Sequence, residues 1–340
     1  MSAVYSIVVP IYNEQETLPA LGPRLSELMD GLDGAAEAIL VDDGSRDRSW
    51  EEMLALRESD PRFHLARLSR NFGHQIAVTA GLDLARGEAV VIMDADLQDP
   101  PEVVLEMAAR WREGYDVVYA QRVAREGETR FKRATAAGFY RLLNRLVEVE
   151  MPRDVGDFRL VDRRALDAVR GMRERARYLR GMFAWIGFRQ TAVTYRRQSR
   201  VAGESKYPLA RMIRFALDGI ISFSATPLRL ALNVGFAVSA LAFALGAAAV
   251  VAKLAGSFSV PGWASLLVVT LFFAGVQLTM LGIMGEYVGR IYDEVKDRPL
   301  YLVGDLRGHE LDEDVQERGL LTSDDAVSAA QGSAARHPTR

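Results

Sequence analysis

The run Asp94-Ala-Asp96-Leu-Gln98-Asp99 closes an apolar stretch, Ala89 to Met93. Carboxylates two positions apart project to the same side of an extended chain. Asp94 and Asp96 can therefore grip one hard divalent cation, with Gln98 adding an oxygen. Mg²⁺ or Mn²⁺ takes such oxygen ligands and bridges a diphosphate. Asp99, before Pro100, suits the cap of a following helix. Asp94 does not, because it ends a run too apolar to hold an idle carboxylate. Two further polar clusters end apolar runs: Pro10-Ile-Tyr12-Asn-Glu14 and Val41-Asp42-Asp43-Gly-Ser45. Carboxylates there can accept from a base N–H or from ribose hydroxyls, and the same residue types also serve plain turns. No G-x-G-x-x-G follows the first run. Phosphate binding then falls to a metal instead of a glycine cradle, and a dinucleotide-dependent enzyme is disfavoured.

Strand ends must present these clusters. Ser6–Pro10, Ala38–Asp42, Ala89–Asp94 and Tyr115–Tyr119 are short, nearly continuous apolar runs. Helical patterns at about 15–30, 47–59, 74–86 and 101–113 lie between them. Alternation of this kind implies a mostly parallel sheet covered on both faces, an α/β fold. Ligands of such sheets gather beyond the carboxyl ends of the strands. Asp47 and Ser49 suit a helix start, and Pro100-Pro101 sits where a first turn accepts proline.

Beyond this domain, residues 230–252 and 254–285 contain no charged side chain. About 20 helical residues cross roughly 30 Å of hydrocarbon. Segments 230–252 and 262–285 therefore predict two transmembrane helices, joined by Gly256–Pro261, with Trp263 as an interfacial anchor. Before them, 206–228 reads as an amphipathic juxtamembrane helix in which Arg211 and Arg214 contact lipid phosphates. Arg211, Arg214 and Arg229 on one flank and Arg290, Lys296 and Arg298 on the other outnumber Lys253 in the loop. That bias puts both ends, and so the catalytic domain (1–205), on the cytoplasmic side of the cell membrane. Segment 291–340 is expected to be cytoplasmic, with a disordered tail from about 308. The N-terminal strand comes too early for a signal peptide.

Composition narrows the classes further. The formal charge of −3 gives no nucleic-acid signature. Cysteine is absent, which excludes disulfides and thiolate metal sites. His64, His74, His309 and His337 show no ligand spacing.

The motifs Val9-Pro-Ile-Tyr-Asn-Glu14, Val41-Asp-Asp-Gly-Ser45, Leu68-Ser-Arg-Asn-Phe-Gly73 and Asp94-Ala-Asp-Leu-Gln-Asp-Pro100 resemble those of family 2 glycosyltransferases. More narrowly they resemble the dolichol-phosphate mannose synthase and bactoprenol glucosyltransferase branch. The resemblance runs from about residue 4 to 300 and takes in Gly156-Asp-Phe-Arg159 and Arg200-Val-Ala-Gly-Glu-Ser-Lys206. It implies a GT-A fold, a divalent metal (Mg²⁺ or Mn²⁺), a nucleotide-sugar donor and inversion at the anomeric carbon. It implies that Pro10, Tyr12, Glu14 and Asp42 or Asp43 line the nucleotide pocket and that Asp94, Asp96 and Gln98 hold metal. Arg122 and Arg133, with Lys132 as substitute, match basic residues facing an acceptor phosphate. Asp157 sits near the sugar, orienting a hydroxyl or an arginine, and Arg200, Ser205 and Lys206 form a loop closing over the phosphates. The implied reaction moves a hexose, glucose from UDP-glucose first, onto undecaprenyl or another polyprenyl phosphate at the bilayer. GDP-mannose-dependent transfer and a non-catalytic membrane scaffold are the alternatives, and a homo-oligomer is compatible with either. A processive synthase is disfavoured, since Gln-x-x-Arg-Trp and additional membrane helices are lacking.

Overall fold

The computed structural model describes residues 3–122, 155–196, 226–255 and 263–308. They form two compact units. The first is built on an eight-stranded sheet. In chain order its elements are β1 (Tyr5–Ile11), α1 (Leu18–Gly31), β2 (Ala36–Asp42), α2 (Ser49–Ser59), β3 (Phe63–Leu68), α3 (His74–Leu84), β4 (Ala89–Ile92), α4 (Val103–Arg112), β5 (Val117–Arg122), β6 (Val155–Asp162), α5 (Arg163–Gly171), α6 (Leu179–Trp185), β7 (Gln190–Tyr195) and β8 (Val303–Arg307). The sheet order is β7-β5-β6-β4-β1-β2-β3-β8.

The centre of the sheet, β4-β1-β2-β3, is parallel throughout. Every residue of β1 and β4 is buried. This is why those strands read as nearly continuous apolar runs and not as alternations. Helix α1 buries Leu18, Leu21, Leu25, Leu28 and Met29, spaced three and four apart, against one face. Tyr5, Trp50, Phe63 and Trp111 join the same core.

Two strands run against the rest. β6 is antiparallel to both β4 and β5, and β8 is antiparallel to β3. The sheet is thus mixed, with six strands pointing one way. β8 corrects the expected division of the chain. The sequence sets segment 291–340 apart from the catalytic domain, yet Val303–Arg307 completes its sheet, and Tyr301 just before is fully buried. The Tyr301 hydroxyl donates to Asp83 Oδ2 at 2.9 Å.

The second unit contains two long helices, α7 (Thr226–Leu254) and α8 (Trp263–Val295). Leu228–Ala248 and Val268–Val295 are long and apolar enough to cross a membrane, and almost none of their surface is buried within the chain. An apolar cleft of about 630 Å³ between them is lined by residues including Leu230, Val234, Leu271, Phe272 and Met280. Both helices exceed the uncharged runs at their outer ends. α8 takes in Glu286, Arg290, Asp293 and Glu294. Most of the amphipathic segment 206–228, including Arg211 and Arg214, and the tail from 309 lie outside the described residues.

Candidate active site

The carboxyl ends of β1, β2 and β4 each release a polar loop at one edge of the sheet. The reversed strand β6 starts at that edge. Its register pairs Ile92 with Arg159, so Gly156 and Asp157 come level with the loop that follows β4. β5 and β7 are parallel and end together, with Arg122 paired to Tyr195.

The first two loops are stitched to each other. Asn13 N–H donates to Ser45 Oγ at 3.0 Å, Glu14 N–H donates to Ser49 Oγ at 2.8 Å, and Arg46 N–H donates to Asn13 Oδ1 at 2.9 Å. Asn13 has φ 55°, a left-handed conformation that asparagine tolerates better than most residues. Tyr12 beside it is 43% exposed, an aromatic face open to a ligand. Pro10 is buried in β1, opposite Val41. Glu14 Oε2 accepts from Thr17 Oγ1 at 2.7 Å.

Asp42 and Asp43 are both turned into the protein. Asp42 Oδ1 accepts from Ser45 N–H at 2.8 Å, and its other oxygen pairs with Arg67 Nε at 3.1 Å. Asp43 accepts from Phe72 N–H at 2.7 Å and Gly73 N–H at 2.9 Å, which fixes the loop leading into α3. Burial pushes the Asp43 carboxyl up, and those two amides pull it back. Gly44 between Asp43 and Ser45 has φ 67°, and a Cβ there would stand 2.5 Å from the Arg70 carbonyl carbon. Only glycine fits this turn.

Behind β4 the chain bends at Leu97, φ 53°, a rare conformation for a branched apolar residue. The bend lets Gln98 N–H donate to Asp96 Oδ1 at 3.1 Å. Gln98 is buried, and among the described residues its Oε1 has no hydrogen-bond partner. Burial, then the charges of Asp157, Asp99 and Asp96, push the Asp94 carboxyl up to about 6 against the pull of His74. A third of the Asp94 side chain stays accessible. A surplus of carboxylates beside an unpartnered amide oxygen fits a hard cation. Among the described residues no group of three or more His, Cys, Asp or Glu forms a cage of its own. A Mg²⁺ or Mn²⁺ held by Asp94, Asp96 and Gln98 would leave coordination positions for further oxygens.

Asp157 carries the densest set of partners. Arg180 Nε donates to Oδ1 at 2.8 Å and Gln75 Nε2 donates to Oδ2 at 3.0 Å. His74 Nε2 lies 3.4 Å from Asp157 Oδ2 and 3.6 Å from Asp94 Oδ1. Although burial opposes it, the hydrogen bond from His74 and the charge of Arg180 hold the Asp157 carboxyl far below the usual carboxylate range. Burial lowers His74, but bonding to Asp157 and the charge of Asp94 leave it raised overall. Arg159 is fully buried beneath. It donates to the carbonyls of Gly156 at 2.9 Å and Asp157 at 3.3 Å, and its guanidinium lies 4.8 Å from the Phe183 ring centroid.

Arg122 ends β5 with about a third of its side chain exposed. Its Nε donates to Tyr195 Oη at 3.0 Å, and the Tyr195 hydroxyl donates to Asp99 Oδ1. Burial and that bond to Asp99 push the Tyr195 hydroxyl up to about 12, so it keeps its proton.

The sheet edge thus gathers Tyr12, Glu14, Asp94, Asp96, Gln98, Arg122 and Asp157. Arg133, Lys132, Arg200, Ser205 and Lys206 lie outside the described residues. Sequence reasoning missed His74, Gln75, Arg180 and Tyr195. His74 and Gln75 follow the Asn-Phe-Gly73 motif and open α3, which was a usable signal. Arg180 and Tyr195 sit in no motif and are placed only by α6 and by the β5–β7 register.

Residues 6–170 match the model of Glycosyl transferase family 2. An uncharacterised glycosyltransferase of Bacillus subtilis is 50% identical over 299 residues, covering 88% of this chain and 93% of its own. One from Synechocystis is 46% identical over 310 residues, covering 91% and 98%. The SfII prophage-derived bactoprenol glucosyl transferase of Shigella flexneri is 40% identical over 298 residues, covering 88% and 96%. With the strand-end carboxylates and the mixed GT-A sheet in place, this near end-to-end similarity makes the chain a member of glycosyl transferase family 2.

Proposed function

We propose that this protein transfers a hexose, with inversion, from a nucleotide-sugar to a polyprenyl phosphate at the cytoplasmic membrane face. UDP-glucose is the first candidate donor. The observation that carries the reading is the carboxylate group Asp94, Asp96 and Asp157 at one edge of the sheet, in a chain with two membrane-length helices. The similarity to a bactoprenol glucosyl transferase supports a glucosyl group and a polyprenyl acceptor.

In the reaction an acceptor phosphate oxygen bonds to the anomeric carbon while the bond from that carbon to the donor diphosphate breaks. A phosphate monoester has its second pKa near ~6 and is largely dianionic at neutral pH. Its oxygen is already nucleophilic, so no strong base is needed. Asp157 matches that requirement. It is held ionised by Arg180, Gln75 and His74 and orients them instead of awaiting a proton. Asp94, Asp96 and Gln98 would hold Mg²⁺ or Mn²⁺, which when bound neutralises charge on the departing diphosphate. Tyr12 offers its open face to the base, and Glu14 stands in the same loop. Arg122 presents a guanidinium suited to a phosphate. Arg133, Arg200, Ser205 and Lys206 are proposed to close the phosphate site.

The test is transfer of labelled sugar to undecaprenyl phosphate by the membrane-embedded protein, using UDP-glucose, UDP-galactose, UDP-N-acetylglucosamine and GDP-mannose. We expect metal-dependent transfer from UDP-glucose, lost in Asp96→Ala. Transfer from another donor reassigns the sugar. Absence of transfer from every donor, without nucleotide binding, would overturn the reading in favour of a scaffold.

A further inference from the structure

Arg122 approaches the site from a strand that carries none of the metal-binding residues. A guanidinium on an exposed strand end usually has several rotamers available, and each loses entropy when one is selected. Here one rotamer is already chosen. Tyr195, its partner in the β5–β7 register, accepts from Nε at 3.0 Å. The same hydroxyl donates to Asp99 Oδ1. Asp99 is 1% exposed, is the last acidic residue of the Asp94–Asp99 run, and lies 3.8 Å from Arg122 Nη2. The Tyr195 ring is held edge-on by Phe158 at 5.9 Å and 89°. The Nη2 that faces Asp99 is confined by Gly156 of β6 as well. A Cβ on Gly156 would stand 3.0 Å from Arg122 Nη2. One hydroxyl therefore joins the loop carrying Asp94 and Asp96 to the cation of β5.

We propose that Tyr195 is a positioning residue that aims the Arg122 guanidinium at an anionic substrate group and fixes it relative to the Asp94–Asp99 loop. Arg122 is the group that touches substrate, and Tyr195 acts through it. That the anion is the acceptor phosphate rests on the reading under Proposed function. The preset rotamer spares the ordering cost that a free arginine would meet on binding. Glycine at 156 is part of the same device, since it leaves room for the guanidinium beside Asp157.

The experiment is a double-mutant cycle on the full-length protein in lipid nanodiscs, with UDP-glucose as donor and undecaprenyl phosphate as acceptor. Tyr195→Phe keeps the ring against Phe158 and removes only the hydroxyl. We expect its acceptor KM to rise roughly tenfold, the weight of one hydrogen bond to a charged group. The thermal midpoint should fall modestly, because buried Asp99 loses one donor. In an Arg122→Ala background the same substitution should change acceptor KM less than twofold, because its target is gone. Gly156→Ala should shift acceptor KM in the same direction by a smaller factor, because a Cβ there only nudges the end of the guanidinium. Additive effects in the cycle, or an unchanged KM in Tyr195→Phe, would overturn the proposal. Coupling that appears on donor KM instead would sustain Tyr195 as the positioning residue and overturn the assignment of Arg122 to the acceptor.

Discussion

Asp94 and Asp157 are neighbours with opposite titration behaviour, and each leads to a measurable result. The Asp94 carboxyl, raised to about 6, favours the proton in the folded state more than an unfolded carboxyl near ~4 does. Stability from this group is full below the unfolded value and is lost as pH rises through about 6. In metal-free buffer, Asp94→Asn should therefore stabilise the protein at pH 8, by on the order of 1 kcal/mol once solvent screening is allowed for, and give no gain at pH 4. The same variant should lose transfer. A destabilised Asp94→Asn protein at pH 8 would contradict this account. Asp157 has the reverse sign. Its carboxyl is held far below the usual range, so its contribution is full above ~4 and fades as pH falls further. Asp157→Ala leaves Arg159 and Arg180 without their counter-charge and should cost about 3 kcal/mol at pH 7. The difference from the parent should narrow in unfolding curves taken toward pH 2.

At the level of elements, the loops are stiffer than their polar composition suggests. Gly44→Ala meets both a left-handed φ and the Arg70 backbone at 2.5 Å. We expect a loss of more than about 2 kcal/mol, read as a lower thermal midpoint, together with weaker nucleotide binding. β8 carries a similar load from outside the first 200 residues. Tyr301→Ala removes a fully buried ring and its bond to Asp83 and should cost about 3–5 kcal/mol. These elements also mark how far the sequence could be read. β1, β2 and β4 were legible because burial on both faces makes most of their residues apolar, and their ends announced the site. β3, with His64 and Arg67 among its residues, was passed over as a strand. β6 and β7 carry Asp157, Arg159, Gln190 and Thr194, and no period separates them from loop. β8 follows a membrane-length helix, where local pattern says nothing of a sheet closing some 240 residues back. Asp157 was found by motif, but its ties to Arg180 and His74 depend on the reversal of β6, which no local signal encodes.

The molecule as a whole pairs a catalytic sheet with two helices whose apolar length was plain from uncharged composition alone. At about 1.5 Å per residue, the 33 residues of α8 extend about 50 Å, beyond the roughly 30 Å of a hydrocarbon core. Its charged last turns, from Glu286, suit water or headgroups. The absence of cysteine makes the orientation testable with single introduced thiols. Ser257→Cys in intact cells should react with a membrane-impermeant maleimide, and Glu88→Cys should react only after lysis. Labelling of Glu88→Cys in intact cells would reverse the proposed topology. The reciprocal bonds among Asn13, Glu14, Ser45, Arg46 and Ser49 carry a lesson for redesign. The two loops behave as one interlocked cassette, so a chimaera that imports another enzyme's donor preference should transplant residues 12–15 and 45–49 together. Exchanging either alone would leave amide hydrogens of the recipient facing the wrong acceptors.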